Sequence, residues 1–229
     1  MINRSEEHAA ISYYFGGEFL PYEKLFARHC PPPMEMDRGM WICRPGETQG
    51  WMYYLCKGRL RVYTTNCEGN ERLVAILGDG SLAGLDCLLP DQASLVTIEC
   101  ITNCRLMPLP SQTISQLIRE NPDFAVDLSH YYCKVMRQLC FDAANQSISN
   151  ILIRLVNFLQ TGQACDDRVR VHLSQQQLAS AVGCSRTSIA RILRLMREEG
   201  IIVTEGVGFQ LLKPDSLNTF CRKYEKCIK

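Results

Sequence analysis

Several scarcities in this chain each close a class of function. Among its 229 residues only 4 are histidine. None of them falls between His29 and His130, so the central stretch cannot supply the converging histidines of a metal-dependent barrel enzyme. There are 13 cysteines, yet no two stand in a CxxC spacing, and the closest pair, Cys100 and Cys104, has no matched second pair to complete a zinc site. The odd cysteine count, together with the lack of a basic, apolar, small-residue leader, speaks against a disulfide framework and for small buried hydrophobes in a reducing compartment. No uncharged stretch is long enough to span a bilayer. The expectation is a cytoplasmic protein with no membrane partner, no metal, no cofactor and no catalytic residues.

What is present begins with charge. The formal net charge of +1 hides an asymmetry: residues 149–229 hold 12 Lys and Arg against 7 Asp and Glu, whereas residues 1–148 hold 13 against 17. A basic C-terminal module beside an acidic partner fits a DNA-binding part and a sensing part. Within the basic part, Leu173–Gly200 predicts two helices joined by a tight turn. Ser174 and Gln177 have the spacing of a capping box, Gly183 supplies the turn, Ser185 can cap the second helix, and Gly200 follows its last turn. At about 100° per residue, Arg186, Thr187, Ala190, Arg191, Arg194 and Arg197 share one arc of that second helix, while Ile189, Ile192, Leu193 and Met196 share the other. One arc can seat the helix on a core and the other can enter a DNA major groove. The strand pair Ile201–Thr204 and Gly208–Leu212 around Glu205-Gly206-Val207 completes a winged helix-turn-helix.

Residues 34–109 predict short strands separated by turns, at Met40–Arg44, Trp51–Cys56, Arg59–Thr65, Glu71–Leu77, Ser94–Ile101 and Cys104–Pro108. This is the pattern of a small antiparallel jelly roll. A short helix at Ser111–Glu120 ends at Asn121-Pro122, and from there to about Gln146 neither Pro nor Gly interrupts a long helix. Leu128, Tyr132, Val135 and Leu139 alternate spacings of four and three, the seam of a two-stranded coiled coil. The polar segment Asn145–Asn150 is a candidate hinge before an apolar helix at Ile151–Gln160. The fold expectation is α+β: an effector-sensing β-barrel over 1–120, a dimerisation helix and hinge over 121–148, and a winged helix-turn-helix over 149–229.

This order resembles the CRP/FNR family of bacterial transcription regulators. The resemblance rests on Val182–Leu193 (VGCSRTSIARIL), close to the family's recognition-helix motif, and on Arg44–Glu47 (RPGE) and Gly78–Leu85 (GDGSLAGL) of its sensor domain, whose cyclic-nucleotide-binding fold it implies. The resemblance implies base reading by Arg186, Thr187 and Arg191, and phosphate contacts from Ser174, Gln176, Ser185 and Arg194. It also implies a homodimer on a palindromic operator and RNA polymerase as a further partner. Thr187 departs from the family's usual acidic residue at that place. A threonine can touch a thymine methyl but cannot accept from cytosine N4, so a different half-site is expected.

The family's cyclic-nucleotide sensors place Glu after the conserved glycine and then an Arg-Ser pair. Here Gly84 is followed by Leu85, and no arginine occurs between Arg72 and Arg105. A buried phosphate without a guanidinium partner would be costly, so cyclic AMP is not the expected effector. The family's iron–sulfur sensors use an N-terminal cysteine cluster; here the first cysteine, Cys30, stands alone, and no histidine sits in a haem motif. Phe19–Leu25 (FLPYEKL) and Tyr131 with Lys134 in YYCKV are similar to the halorespiration regulators of the CprK type, which sense chlorinated phenols. That similarity implies an effector site at Gly84, Leu85, Tyr131 and Lys134 for a halogenated phenol or other small aromatic. Two further readings are a thiol-redox regulator of the same family and, more remotely, a jelly-roll metalloenzyme.

Overall fold

Strands with one apolar face must pair and then cover that face, and two stacked sheets result. The computed structural model describes residues 13–66, 69, 71–89, 91–148, 150–162, 170–171, 173–206 and 208–224. In chain order it opens with β1 (Tyr14–Phe15), a 3-10 turn at Leu20–Tyr22, α1 (Glu23–His29), β2 (Met34–Met36) and β3 (Trp41–Cys43). Next come β4 (Trp51–Lys57), β5 (Leu60–Thr65), β6 (Glu71–Leu77), β7 (Leu82–Ala83), a second 3-10 turn at Leu85–Leu88, β8 (Thr97–Cys100) and β9 (Cys104–Pro110). The sheets run β1-β6-β5-β8-β3 and β2-β9-β4-β7. The pairs β2–β9, β4–β9, β4–β7, β3–β8 and β5–β8 are antiparallel, while β1 lies parallel to β6. This is the jelly roll that the strand spacing predicts.

Gly58 shows how tightly one corner is drawn. Its φ is +113°, and a Cβ there would stand 2.7 Å from both the Asn103 carbonyl and Cys104 Sγ. Only glycine meets both demands. The strand expected over Ser94–Ile101 begins three residues late, because Ser94 is engaged otherwise: its backbone pairs with Gly46 and Glu47, and its hydroxyl donates to Asp86 Oδ2 at 3.0 Å.

After β9 come α2 (Ser111–Glu120) and α3 (Pro122–Ile148). The inner face of α3 carries Phe124, Leu128 and Tyr131, all buried, with Val135 half-buried beside them. Phe19 lies edge-on to Phe124 and Tyr131 at centroid distances of 6.1 and 5.2 Å, and Phe15 meets Tyr131 at 5.5 Å. Burial of each such ring contributes about 1.5–3 kcal/mol, so residues 15–26 pin the helix firmly.

Of the seam expected from Leu128, Tyr132, Val135 and Leu139, two members are taken up by their own chain. Leu128 and Val135 face the barrel of their own chain, while Tyr132 and Leu139 are exposed. A second exposed set at heptad spacing is Val126, Ser129, Cys133, Met136, Cys140 and Ala143, with Val126 51% and Met136 61% exposed.

The last helices and strands are α4 (Ile151–Gly162), β10 (Arg170–Val171), α5 (Gln175–Val182), α6 (Arg186–Glu198), β11 (Ile202–Glu205), β12 (Gly208–Leu211) and α7 (Leu217–Tyr224). The sheet β10-β12-β11 is antiparallel, and its β11–β12 hairpin is the wing. Leu152, Leu155, Leu178, Ile189, Ile192 and Met196 fill the core between the helices. In the segment expected to hinge, α3 continues through Ile148, residue 149 lies outside the described residues, and Asn150 Oδ1 accepts from the Ile153 N–H at 3.0 Å as an N-cap of α4.

The contacts divide the chain into two units. One comprises Tyr14–Gly69 and Val74–Met136; the other gathers, of the described residues, Tyr13, residues 71–73 and those from Arg137 onward.

Candidate nucleic-acid interface and ligand-side cluster

The local sequence builds the recognition helix by satisfying its own end groups. Gln177 N–H donates to Ser174 Oγ at 3.2 Å and Ser174 N–H donates to Gln177 Oε1 at 2.9 Å, a complete capping box for α5. Gly183 then turns the chain at φ +69°, and Ser185 Oγ accepts from the Ser188 N–H at 3.1 Å to cap α6. These bonds fix where α6 starts, and therefore which residues share its outer face.

Ile189, Ile192, Leu193 and Met196 are buried, while Ser185, Arg186, Thr187, Arg191, Arg194 and Arg197 are exposed. Thr187, Ser188, Ala190 and Arg191 line an open groove of about 680 Å³ with Arg194 and Arg197. A second cleft of about 320 Å³ lies between α6 and the wing, with Ser174, Gln176, Arg186, Arg197 and Thr204 in its wall. The structure thus spreads the DNA-facing candidates over two adjoining hollows: Thr187, Arg191 and Arg194 on the first, Ser174, Gln176 and Arg186 on the second. Ser185 sits at the helix start.

The arginines are not equivalent. Arg194 Nε lies 3.7 Å from Glu198 Oε1, and Arg197 Nη1 reaches Thr204 Oγ1 on the wing at 3.5 Å. Arg186 and Arg191 make no ion pair with a described residue, which leaves their guanidinium forks for an external acceptor. The contact of Arg197 with the wing is a feature the sequence reading missed. Its signal was present in the arginine arc, but the partner comes from a hairpin whose placement only the fold supplies.

In the jelly-roll unit α3 reaches the loop that holds the expected effector residues Gly84 and Leu85 through Tyr131 and Tyr132, while Lys134 is engaged elsewhere. Gly84 has φ +78°, and a Cβ on it would meet the Trp51 carbonyl at 3.0 Å; Leu85 opens the 3-10 turn that follows. Tyr131 OH donates to the Leu82 carbonyl at 3.1 Å, and Tyr132 OH donates to the Leu85 carbonyl at 3.2 Å. Burial pushes the Tyr131 hydroxyl far above its ordinary range, and the nearby Glu18 carboxylate adds to that shift. Burial likewise raises Tyr132 to about 12, with Cys87 and Asp86 adding. Lys134 diverges from Tyr131: its side chain is 57% exposed, and its Nζ stands 3.8 Å from Glu18 Oε1. Glu18 is the residue that links the two, and no motif in the sequence announces it.

The loop over residues 82–86 carries an acid, Asp86, whose carboxylate accepts from Ser94. Arg61 of β5 is committed elsewhere, with Nε and Nη2 at 3.1 and 2.7 Å from Glu99 Oε2 and its guanidinium over the Tyr63 ring. In the β8–β9 hairpin the buried Cys104 Sγ donates to the Arg59 and Thr102 carbonyls at 3.3 and 3.4 Å. Its interaction with the neighbouring Cys100 thiol lowers the Cys104 thiol and raises that of Cys100. Among the described residues no group of three or more His, Cys, Asp or Glu could hold a metal, and no helix is long and apolar enough to cross a membrane.

Comparison with known proteins places these two sites in context. Residues 33–121 match the cyclic nucleotide-binding domain family, and residues 148–220 match the Crp-like helix-turn-helix domain family. The cAMP-activated global transcriptional regulator CRP of Pasteurella multocida (strain Pm70) is 25% identical over 193 residues, covering 81% of this chain and 92% of that protein. The c-di-GMP responsive global regulator CLP of Xanthomonas campestris superposes with a TM-score of 0.72 at 20% identity, covering 82% of this chain and 96% of CLP. CprK complexed with OCPA superposes with a TM-score of 0.70 at 15% identity, covering 90% and 99%. At these identities the two structures show a shared fold.

Proposed function

The chain belongs to the CRP/FNR family of transcription regulators, and from that premise we propose that it is a homodimeric, sequence-specific DNA-binding regulator switched by a small aromatic effector other than cyclic AMP. The observation that carries the DNA half is the outer face of α6, where Arg186 and Arg191 stand exposed beside Thr187 and unpaired with any described residue. The forked guanidinium suits guanine O6 and N7, and Thr187 suits a thymine methyl. Ser174, Gln176, Ser185 and Arg194 would hold phosphates on either side. The exposed heptad stripe of α3 gives a second copy its docking face, so that two recognition helices meet half-sites about one DNA turn apart. RNA polymerase is the expected protein partner of the DNA-bound dimer.

The effector half rests on the loop at residues 82–86. CRP, a relative at 25% identity, is cAMP-activated, but this chain presents Leu85 and Asp86 there and no guanidinium for a cyclic phosphate. A small aromatic, a halogenated phenol among them, would seat against the aromatic inner face of α3 at Gly84, Leu85, Tyr131 and Lys134. It acts by changing how α3 meets its copy, and only to the extent that it binds the two arrangements differently.

The test is a thermal-shift screen of small aromatics and cyclic AMP, followed by affinity for an operator recovered from a random-sequence pool. Stabilisation by an aromatic coupled to a change in operator affinity supports the reading. Cyclic AMP producing both effects, with aromatics producing neither, overturns it.

The two neighbouring buried thiols of Cys100 and Cys104 favour a second reading, control by thiol oxidation. Both thiols would join as a disulfide, passing two electrons and two protons to a disulfide or azo-type oxidant such as diamide. Diamide-sensitive DNA binding that Cys104→Ser abolishes would favour it, and insensitivity of the wild type would remove it.

A further inference from the structure

Glu18 changes what the ligand-side cluster can bind. Its Oε1 faces Lys134 Nζ at 3.8 Å, so the lysine charge already has a counter-charge before any ligand arrives. Its Oε2 is buried and has no hydrogen-bond partner. Tyr131, whose hydroxyl feels the Glu18 carboxylate, has spent its proton on the Leu82 carbonyl, and Tyr132, next along the helix, has spent its own on the Leu85 carbonyl. What these groups still offer is acceptor capacity, the lone pairs of Tyr131 and the unmet carboxylate oxygen of Glu18.

Resting on the reading of Tyr131 and Lys134 as the effector end, we propose that Glu18 sets the specificity of this site for an un-ionised aromatic carrying a hydrogen-bond donor, a phenol rather than a phenolate. An anionic ring oxygen would approach Lys134 only by sharing it with the Glu18 carboxylate, and like charges at that range repel. A neutral phenol donates its proton to Glu18 Oε2, satisfying a buried acceptor whose isolation is costly, and leaves the Glu18–Lys134 pair in place. The pair adds little to stability on its own, because more than half of the Lys134 side chain is in water.

The decisive measurement is calorimetric titration at neutral pH with para-chlorophenol, a neutral donor, para-chloroanisole, its donorless counterpart, and pentafluorophenol, which is ionised. The wild-type protein is expected to bind para-chlorophenol at least tenfold more tightly than either of the others. Glu18→Gln, which removes the charge and keeps the shape, is expected to raise affinity for pentafluorophenol about tenfold or more by leaving Lys134 uncompensated. Lys134→Met is expected to keep the preference for the donor while abolishing any gain for the anion.

A wild type that prefers the anion overturns the assignment of Glu18, as does a Glu18→Gln variant with an unchanged ranking, while leaving the effector site at Tyr131 and Lys134 standing. If none of the three ligands binds the wild type or either variant, the effector site itself falls and this inference falls with it.

Discussion

Arg191→Ala separates base reading from everything else that α6 does. The side chain is exposed, makes no ion pair with a described residue, and lines the open groove with Thr187, Ser188, Ala190, Arg194 and Arg197. The buried face of the same helix, Ile189, Ile192, Leu193 and Met196, is untouched by the change. Folding stability should therefore move by less than about 0.5 kcal/mol, and alanine, the better helix former, gives no reason for loss. On an operator, losing a forked guanine contact costs about 1–3 kcal/mol per half-site. At about 1.4 kcal/mol per tenfold this is a fall of about five- to 150-fold for each half-site, and a dimer that loses the contact at both half-sites falls by the product of the two.

A phosphate contact would behave differently. Its loss would weaken every duplex alike and flatten the dependence of log K on log salt by about 0.9 per contact. Fluorescence anisotropy on the selected operator and on a scrambled duplex, each at several salt concentrations, distinguishes the two. Equal loss on both duplexes with a flatter salt dependence would refute base reading by Arg191.

Three further outcomes follow from individual contacts. Asp142 of α3 is buried, accepts from Tyr13 OH and lies 3.6 Å from Arg72; burial raises its acid above the usual carboxylate range against the opposing pull of both partners. A carboxyl with a raised folded-state pKa binds its proton more tightly folded than unfolded, so its contribution is full below about pH 4 and is lost as pH rises through the folded value. Asp142→Asn should flatten that part of the stability–pH profile, and a steeper profile in the variant would contradict the shift. Ser174→Ala removes the capping-box acceptor and should cost about 1 kcal/mol in urea unfolding. Ser174→Asp should keep the cap yet weaken binding to all duplexes, and stronger DNA binding by it would place Ser174 away from phosphate. Tyr131→Phe deletes the bond to the Leu82 carbonyl and should cost about 1–2 kcal/mol in chemical denaturation; an unchanged midpoint would show that bond to be absent in solution.

Structure that depends on neighbours within a few residues was legible before any coordinates. The capping box at Ser174 and Gln177, the left-handed turn at Gly183 and the cap at Ser185 follow from local chemistry, the bounds Ser111–Glu120 and Glu71–Leu77 from the turn residues and periodicity around them, and all stand in the structure. Elements whose existence depends on distant partners were not legible. β1, β7 and β10 are two residues long, and each is a strand only because it pairs with residues far along the chain, Tyr14 with Ile76, Tyr53 with Ala83 and Arg170 with Gln210. α1 is seven residues, too short for a periodic signal to stand out. Glu18 belongs to this second kind. Its place beside Lys134 comes from the packing of Phe15 and Phe19 against α3, which no spacing in the sequence encodes.

The long helix shows why period alone misassigned a face. Leu128 and Val135 are seven apart, as are Tyr132 and Leu139, and their union alternates four and three like a single seam. Yet Leu128 and Val135 pack against the barrel core, whereas Tyr132 and Leu139 are exposed, Tyr132 reaching the barrel only through its hydroxyl. A helix apolar on two sides carries two overlapping heptads, and a sequence pattern cannot tell which members travel together. The side chains that settle it are the polar ones: Tyr131 sits on the inner face because its hydroxyl finds the Leu82 carbonyl there, and Ser129 on the outer face bonds back to the Ala125 carbonyl at 2.8 Å. The same geometry bears on switching. Tyr131 and Met136 stand on opposite faces of one rigid rod, about 7.5 Å apart along its axis at 1.5 Å per residue. On the function proposed above, a ligand that moved α3 in displacing Tyr131 from Leu82 would carry the stripe at Val126, Cys133 and Met136 with it.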